Sequence, residues 1–116
     1  MTIERKQTAT RMSQIVIHGE TVYLAGQVAK NAPGATVKEQ TQDILANIDK
    51  LLAEAGTDKT KLLSANIWLA NIQDFAEMNG VWDAWVPEGH APCRACVEAR
   101  LASPKFTVEI MIVAAK

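Results

Sequence analysis

Two short segments near the end of the chain concentrate its reactive groups: Pro92-Cys93-Arg94-Ala95-Cys96-Val97-Glu98 and Thr107-Val108-Glu109-Ile110. In the first, Arg94, Cys96 and Glu98 alternate with Ala95, Val97 and Ala99, so a strand here sets the polar three on one sheet face. In the second, Glu109 is the single charge in an apolar run reaching Ala115. Arginine holds a permanent charge in a planar fork of donors, the shape that grips a carboxylate through two hydrogen bonds. A cation and a carboxylate on faces that read as buried must either pair or do chemistry.

Cys93-Arg94-Ala95-Cys96 is formally a C-x-x-C sequence, which raises redox and zinc chemistry. Redox pairs of this kind sit at a helix N-terminus, where the dipole lowers the thiol pKa. Here the flanks read as strand, and an odd separation points the two thiols to opposite faces. There is no second C-x-x-C, and with His90 the set is still one ligand short of a zinc site. Each cysteine then reads as a small apolar residue, and no metal is expected.

For Arg94 the plainer alternative to catalysis is a structural ion pair with Glu98 or Glu109. If Ser103-Pro104 makes a tight turn between two paired strands, Arg94 faces Val113 and Glu98 faces Glu109. Arg94 and Glu109 are then separated by roughly 13 Å of strand at about 3.3 Å per residue. The two glutamates form an unfavourable pair unless solvated or singly protonated. On that register Arg94 and Glu109 do not satisfy each other within one subunit. They meet across an oligomer interface, or each faces a ligand.

The elements that position these groups are readable from periodicity. Gln14–His18 and Thr21–Ala25 are β-rich runs separated by Gly19-Glu20, a hairpin signal. Gly26 follows at once and exposes its backbone to close approach. Thr36-Val37-Lys38-Glu39 is a capping box, and Val37, Thr41, Ile44, Leu45, Ile48, Leu51, Leu52 and Ala55 keep a helical period up to Gly56. Leu62–Leu69 reads as a strand. Asp74-Phe75-Ala76-Glu77 repeats the capping-box pattern, with Phe75, Met78, Trp82 and Trp85 in one stripe of a shorter helix closed by Pro87-Glu88-Gly89. Asn79 is the one amide within that stripe, either a solvent-edge residue or a polar contact. Trp68, Trp82 and Trp85 read as core or interface. The order expected is β-β-α-β-α-β-β, an α+β layer of one mixed sheet with two helices on one face.

The chain of 116 residues has a formal net charge of −1 and no cluster of lysine or arginine. It reads as a single domain, 1–116, long enough to bury roughly two-thirds of its unfolded surface. Without a basic stripe no nucleic-acid partner is expected. No apolar run approaches the roughly 20 residues that span a bilayer, so no membrane partner is expected either. Met1-Thr2-Ile3-Glu4-Arg5-Lys6 has charges where a signal peptide needs an apolar stretch, and two cysteines are too few for a disulfide scaffold. The expected location is the cytoplasm. One apolar surface is left over. The last strand carries Val108, Ile110, Ile112 and Ala114 on one face and Met111 and Val113 on the other, while two helices cover only one. A homo-oligomer with sheets packed against one another is the implied remedy.

Taken together, these segments resemble the reactive intermediate deaminases of the Rid (YjgF-type) family over nearly the whole chain, Gln14 to Ala114. The resemblance rests on Val22-Tyr23-Leu24-Ala25-Gly26-Gln27, Asn47-Ile48-Asp49-Lys50-Leu51-Leu52 and Asp74-Phe75-Ala76-Glu77-Met78-Asn79. It is strongest at Ala91-Pro92-Cys93-Arg94-Ala95-Cys96-Val97-Glu98 and Val108-Glu109-Ile110. It implies a chorismate-mutase-like α+β fold in a homotrimer, the sheets forming a central barrel and a ligand cleft lying between each pair of subunits. The activity implied is hydrolysis of enamines and imines such as 2-aminoacrylate to keto acid and ammonia, with no metal or organic cofactor. By position, Arg94 matches the arginine that clamps the substrate carboxylate, and Glu109 the glutamate that positions or activates water. Gly26 and Cys96 match residues whose backbone lines the pocket, and Asn79 matches a polar contact.

Two departures from the family pattern bear on turnover. Met12 stands where many of these deaminases have a tyrosine, and Ala25 where they have a serine before the strand-end glycine. A hydroxyl donor is lost at each place. The rival reading is therefore a protein of the same fold that binds or senses a small carboxylate without hydrolysing it. A chaperone-like role, also attributed to the family, is a third.

Overall fold

The computed structural model describes every residue from Met1 to Lys116. The two helices are where the apolar periods place them. α1 spans Val37–Glu54 and α2 spans Phe75–Trp85. Thr36 caps α1, its Oγ1 accepting from the Glu39 amide at 3.1 Å. Its C-terminus is a Schellman turn: Thr57 N–H donates to Leu52 O, Gly56 N–H donates to Ala53 O, and Gly56 sits at φ 84°, a conformation only glycine adopts freely.

The second capping box does not form. Asp74 makes no side-chain cap on α2, and Glu77 instead accepts from the Lys38 amide at 2.9 Å, capping α1 across the helix pair. A free helix N-terminus offers unsatisfied amides to whichever carboxylate reaches them. A short 3-10 turn, Ile72–Asp74, leads into α2 and has already used the positions before it.

Six strands form one mixed sheet: β1 Ile3–Thr8, β2 Ser13–His18, β3 Thr21–Leu24, β4 Leu62–Leu69, β5 Cys93–Glu98 and β6 Val108–Ala115. Their spatial order is β1-β2-β3-β6-β4-β5. β1 is an addition to the expected order. Its residues Ile3, Glu4, Arg5, Lys6, Gln7 and Thr8 are mostly exposed and show no alternation, so nothing in the side chains announces it. Backbone pairing with β2, from Ile3↔His18 to Thr8↔Ser13, creates it. Charged residues on such an edge also discourage further strand addition.

The expected pairing of the last two strands is overturned. β4 lies between them, parallel to β5 (Ala65↔Arg94, Trp68↔Val97) and antiparallel to β6 (Ala65↔Ile112, Trp68↔Glu109). Residues 99–107 are not a hairpin. They cross the end of β4, where Ala99 N–H donates to Leu69 O and Ala70 N–H donates to Thr107 O. The physical reason is the β4-α2-β5 unit, whose parallel crossover takes the site beside β4 and leaves β6 the slot on the other side. Arg94 therefore does not face Val113, nor Glu98 Glu109.

The core is the helix side of this sheet. Ile15, Ile17, Val22, Leu24, Ala65, Ile67, Leu69, Val108, Ile110, Ile112 and Ala114 bury against Ile44, Ile48, Leu51 and Leu52 of α1 and Met78 and Trp82 of α2. Alternate residues of the same strands line the other face, and this chain places no element on it: Val16, Trp68, Met111 and Val113 are half-buried, and Tyr23 and Val97 are exposed.

Candidate active site

Arg94 lies on β5, the edge strand nearest α2, on the face that the helices cover. Its Nη1 donates to Asn79 Oδ1 at 2.8 Å. Its Cζ lies 5.7 Å from the ring centre of Phe75 and 5.5 Å from that of Trp82. Both are within the range in which the face of a ring attracts a cation. The helical period explains the grouping, since Phe75, Asn79 and Trp82 stand at i, i+4 and i+7 of α2. Trp82 is thus both core and platform. Phe75, in the same stripe of α2 as Met78 and Trp82, is 41% exposed.

No carboxylate of the chain pairs with Arg94; the one ion pair is Lys6 with Glu4, far away in the fold. The structural ion pair with Glu98 or Glu109 is absent. Glu98 is exposed at the end of β5, on the same sheet face as Arg94. Half-buried Arg94 therefore keeps its charge and most of its donors uncommitted within its own chain.

Cys96 follows two residues on, sharing the face of Arg94 and opposite Ile67. Burial pushes its thiol pKa up, opposed only by the nearby Arg94 charge. That disfavours the thiolate, the form in which cysteine acts as a nucleophile. Cys93 points the other way, its Sγ donating to Leu63 O at 3.2 Å, and both cysteines are free.

Glu109 occupies the opposite face of the sheet. Register settles this: Arg94, Ala65 and Ile112 share a face, and Glu109 is an odd number of residues from Ile112. Across the open face Glu109 lies beside Trp68, itself opposite Val97. Gly26 approaches it closely, because a Cβ built on Gly26 would overlap Glu109 Oε2. The reason for glycine after β3 is then room for that carboxylate.

Two buried amides, Gln27 and Gln40, support these positions. Gln27 is fully buried. Its backbone pairs with Ile110, and its side chain donates to Gln14 Oε1 at 2.7 Å and Ala25 O at 3.0 Å while accepting from Asn47 at 2.7 Å. It fixes the chain on both sides of Gly26. Gln40, also fully buried, donates to Ala35 O and Lys105 O and accepts from the Thr107 amide, pinning the entry to β6 two residues before Glu109. The signal for Gln40 is its position: with Val37, Thr41 and Ile44 it falls at the buried helical spacing, where a polar side chain must find partners.

Arg94, Asn79 and Cys96 thus form one group, and Gly26 and Glu109 another, on opposite faces. None of the four surface cavities of the chain is lined by any of the five.

The whole chain has relatives. Residues 2–116 match the endoribonuclease L-PSP family. The chain is 50% identical over 115 residues to the RutC family protein YoaB of Escherichia coli, covering 99% of each. It is 45% identical over 114 residues to a RutC family protein of Haemophilus influenzae, covering 98% of each. A crystal structure of a YjgF-family protein from Neisseria meningitidis superposes with a TM-score of 0.96 at 51% identity, covering 100% of this chain and 96% of that one. On sequence along its full length and on fold, the chain belongs to the endoribonuclease L-PSP family, the Rid/YjgF family that its closing motifs resemble.

Proposed function

We propose that the protein hydrolyses small, carboxylate-bearing enamines and imines of the 2-aminoacrylate kind to keto acid and ammonia. The observation that carries this reading is Arg94: half-buried, oriented by Asn79 and two rings, and without a carboxylate of its own chain. A substrate carboxylate supplies the missing partner. The imine carbon is already electrophilic, so the remaining task is to align one water. In this reading Glu109 positions that water and takes its proton as oxygen bonds to carbon. An enamine first tautomerises to the imine, its β carbon gaining a proton as nitrogen loses one. As water adds, the C=N π pair moves to nitrogen, which takes the proton held by Glu109 and gives a carbinolamine. The hydroxyl proton then passes to the amine nitrogen, and the C–N bond breaks with its electron pair leaving in ammonia while the carbonyl forms. No metal or organic cofactor enters the scheme. Gly26 and the backbone of Cys96 line the cleft.

The assembly we propose is a homotrimer whose sheets form a central barrel, with a site in each cleft between subunits, working in the cytoplasm. Two observations support it. The open sheet face carries Val16, Tyr23, Trp68, Val97, Met111 and Val113 without cover, and the two groups of site residues lie on opposite faces of one chain. A second chain is the simplest way to complete both.

The test is ammonia release from 2-aminoacrylate or iminopyruvate generated in solution, with protein at stoichiometric concentration. The expected result is faster release than in buffer alone, and an unchanged rate overturns the proposal. Met12 and Ala25 favour a second reading, because neither provides a hydroxyl near the substrate; Met12 is 53% exposed. A protein that binds a keto acid through Arg94 but turns over no member of an imine panel is a carboxylate-binding or sensing protein.

A further inference from the structure

The surroundings of Arg94 share one property: each group that touches it is uncharged. Phe75 and Trp82 present ring faces, and Asn79 presents an amide oxygen at 2.8 Å. Glu77 belongs to the same helix but is turned to the N-terminus of α1, where it accepts from the Lys38 amide.

We infer that the Phe75–Asn79–Trp82 face of α2 is a positioning device for Arg94, built to fix the plane of the guanidinium without neutralising its charge. The inference rests on the reading of Arg94 as a carboxylate clamp. Rings above a guanidinium restrict its tilt and strip water from its faces, leaving the donor edges as the route for an anion. One hydrogen bond from Nη1 then sets rotation within that plane. Aspartate at position 79 would be nearly the same size and would orient Arg94 more strongly, since charge-assisted bonds are the stronger kind. It would also place a fixed anion beside the incoming carboxylate. Asparagine gives the orientation and leaves the charge for the ligand. Asn79, Phe75 and Trp82 are positioning residues in this account, acting through Arg94.

The experiment follows the Arg94 Nε–H resonance in ligand-free protein, together with pyruvate titration, for wild type and the variants Asn79→Asp, Phe75→Leu and Phe75→Tyr. Phe75 is partly exposed, so its variants are expected to fold, with circular dichroism as the check. In Asn79→Asp the resonance stays sharp and slow to exchange while pyruvate affinity falls about tenfold, the repulsion of one added charge at close range. In Phe75→Leu the ring-current shift of that resonance is lost and affinity falls roughly threefold, a cation–ring contact at a partly exposed site. Phe75→Tyr restores both. An Asn79→Asp protein that binds pyruvate as well as wild type overturns the inference. A Phe75→Leu protein with an unmoved Arg94 resonance also overturns it. Failure of wild type to bind pyruvate overturns the carboxylate clamp itself, and the ligand-free spectra still decide whether α2 fixes the guanidinium.

Discussion

The two faces of the sheet are made of the same strands and differ in completeness. On the helix side, Ile15, Ile17, Leu24, Ile67, Ile110 and Ile112 are sealed by α1 and α2. On the other, residues one step along the same strands, Val16, Trp68, Met111 and Val113, are only half-covered. Hydrophobic gain scales with area removed from water, so the first face has realised its gain in the single chain and the second still has some to realise. Arg94 belongs to the finished face, at its edge. Glu109 belongs to the unfinished one. Under the proposed function, the core needs one chain and the chemistry more than one.

Charging each face in turn is expected to give the largest effects. Ile112→Asp places a carboxylate in the sealed core and is expected to prevent folding, since an unpaired buried charge costs several kcal/mol. Val113→Asp, one residue along, is expected to leave a folded chain that sediments as a monomer. Circular dichroism and sedimentation velocity read the two outcomes. A Val113→Asp protein that keeps the wild-type oligomer removes the open face from the assembly.

Arg94→Ala comes next. Loss of a bidentate, charge-assisted contact is expected to lower kcat/KM for imine hydrolysis about 100-fold while denaturation and sedimentation stay as in wild type. If the protein unfolds instead, Arg94 is part of the core edge and not a ligand group. Gly26→Ala sharpens the other side. The new Cβ must displace the Glu109 carboxylate, and such overpacking costs about 1–3 kcal/mol. Urea titration is expected to show that loss, and Glu109→Ala in the same chain to recover most of it. Additive losses would mean that the two residues do not meet. The smallest effects separate the two ends of the second capping pattern: Glu77→Ala is expected to cost about 1 kcal/mol through the exposed N-terminus of α1. Asp74→Ala, which removes no cap, is expected to lie within about 0.5 kcal/mol of wild type by the same denaturation.

Much of the fold was legible because the elements advertise themselves locally. The stripe from Val37 to Ala55 and the glycine after it determine α1, and the alternation from Val108 to Ala115 determines a strand with two apolar faces. β1 was not legible, because an exposed edge strand needs only main-chain partners and leaves no side-chain pattern. Nor was the capping role of Glu77. The pattern from Asp74 to Glu77 is correct for a cap, but α2 is preceded by a 3-10 turn and its glutamate reaches α1 first. At the site, the residue types and the alternation of Arg94, Cys96 and Glu98 were readable. The aromatic seat of Arg94 was not, because it joins β5 to α2 through packing.

Which residues alternate, where the helices begin and end, and that one sheet face lacks cover can all be read along the chain. Those properties follow from period and composition, which act over a few residues. Packing places β4 between β5 and β6, seats Arg94 on Phe75, Asn79 and Trp82, and turns Glu109 to the opposite face beside Gly26. Strand order depends on how crossovers pack across the whole domain, information that is spread over residues 21–115 and present in none of the local patterns.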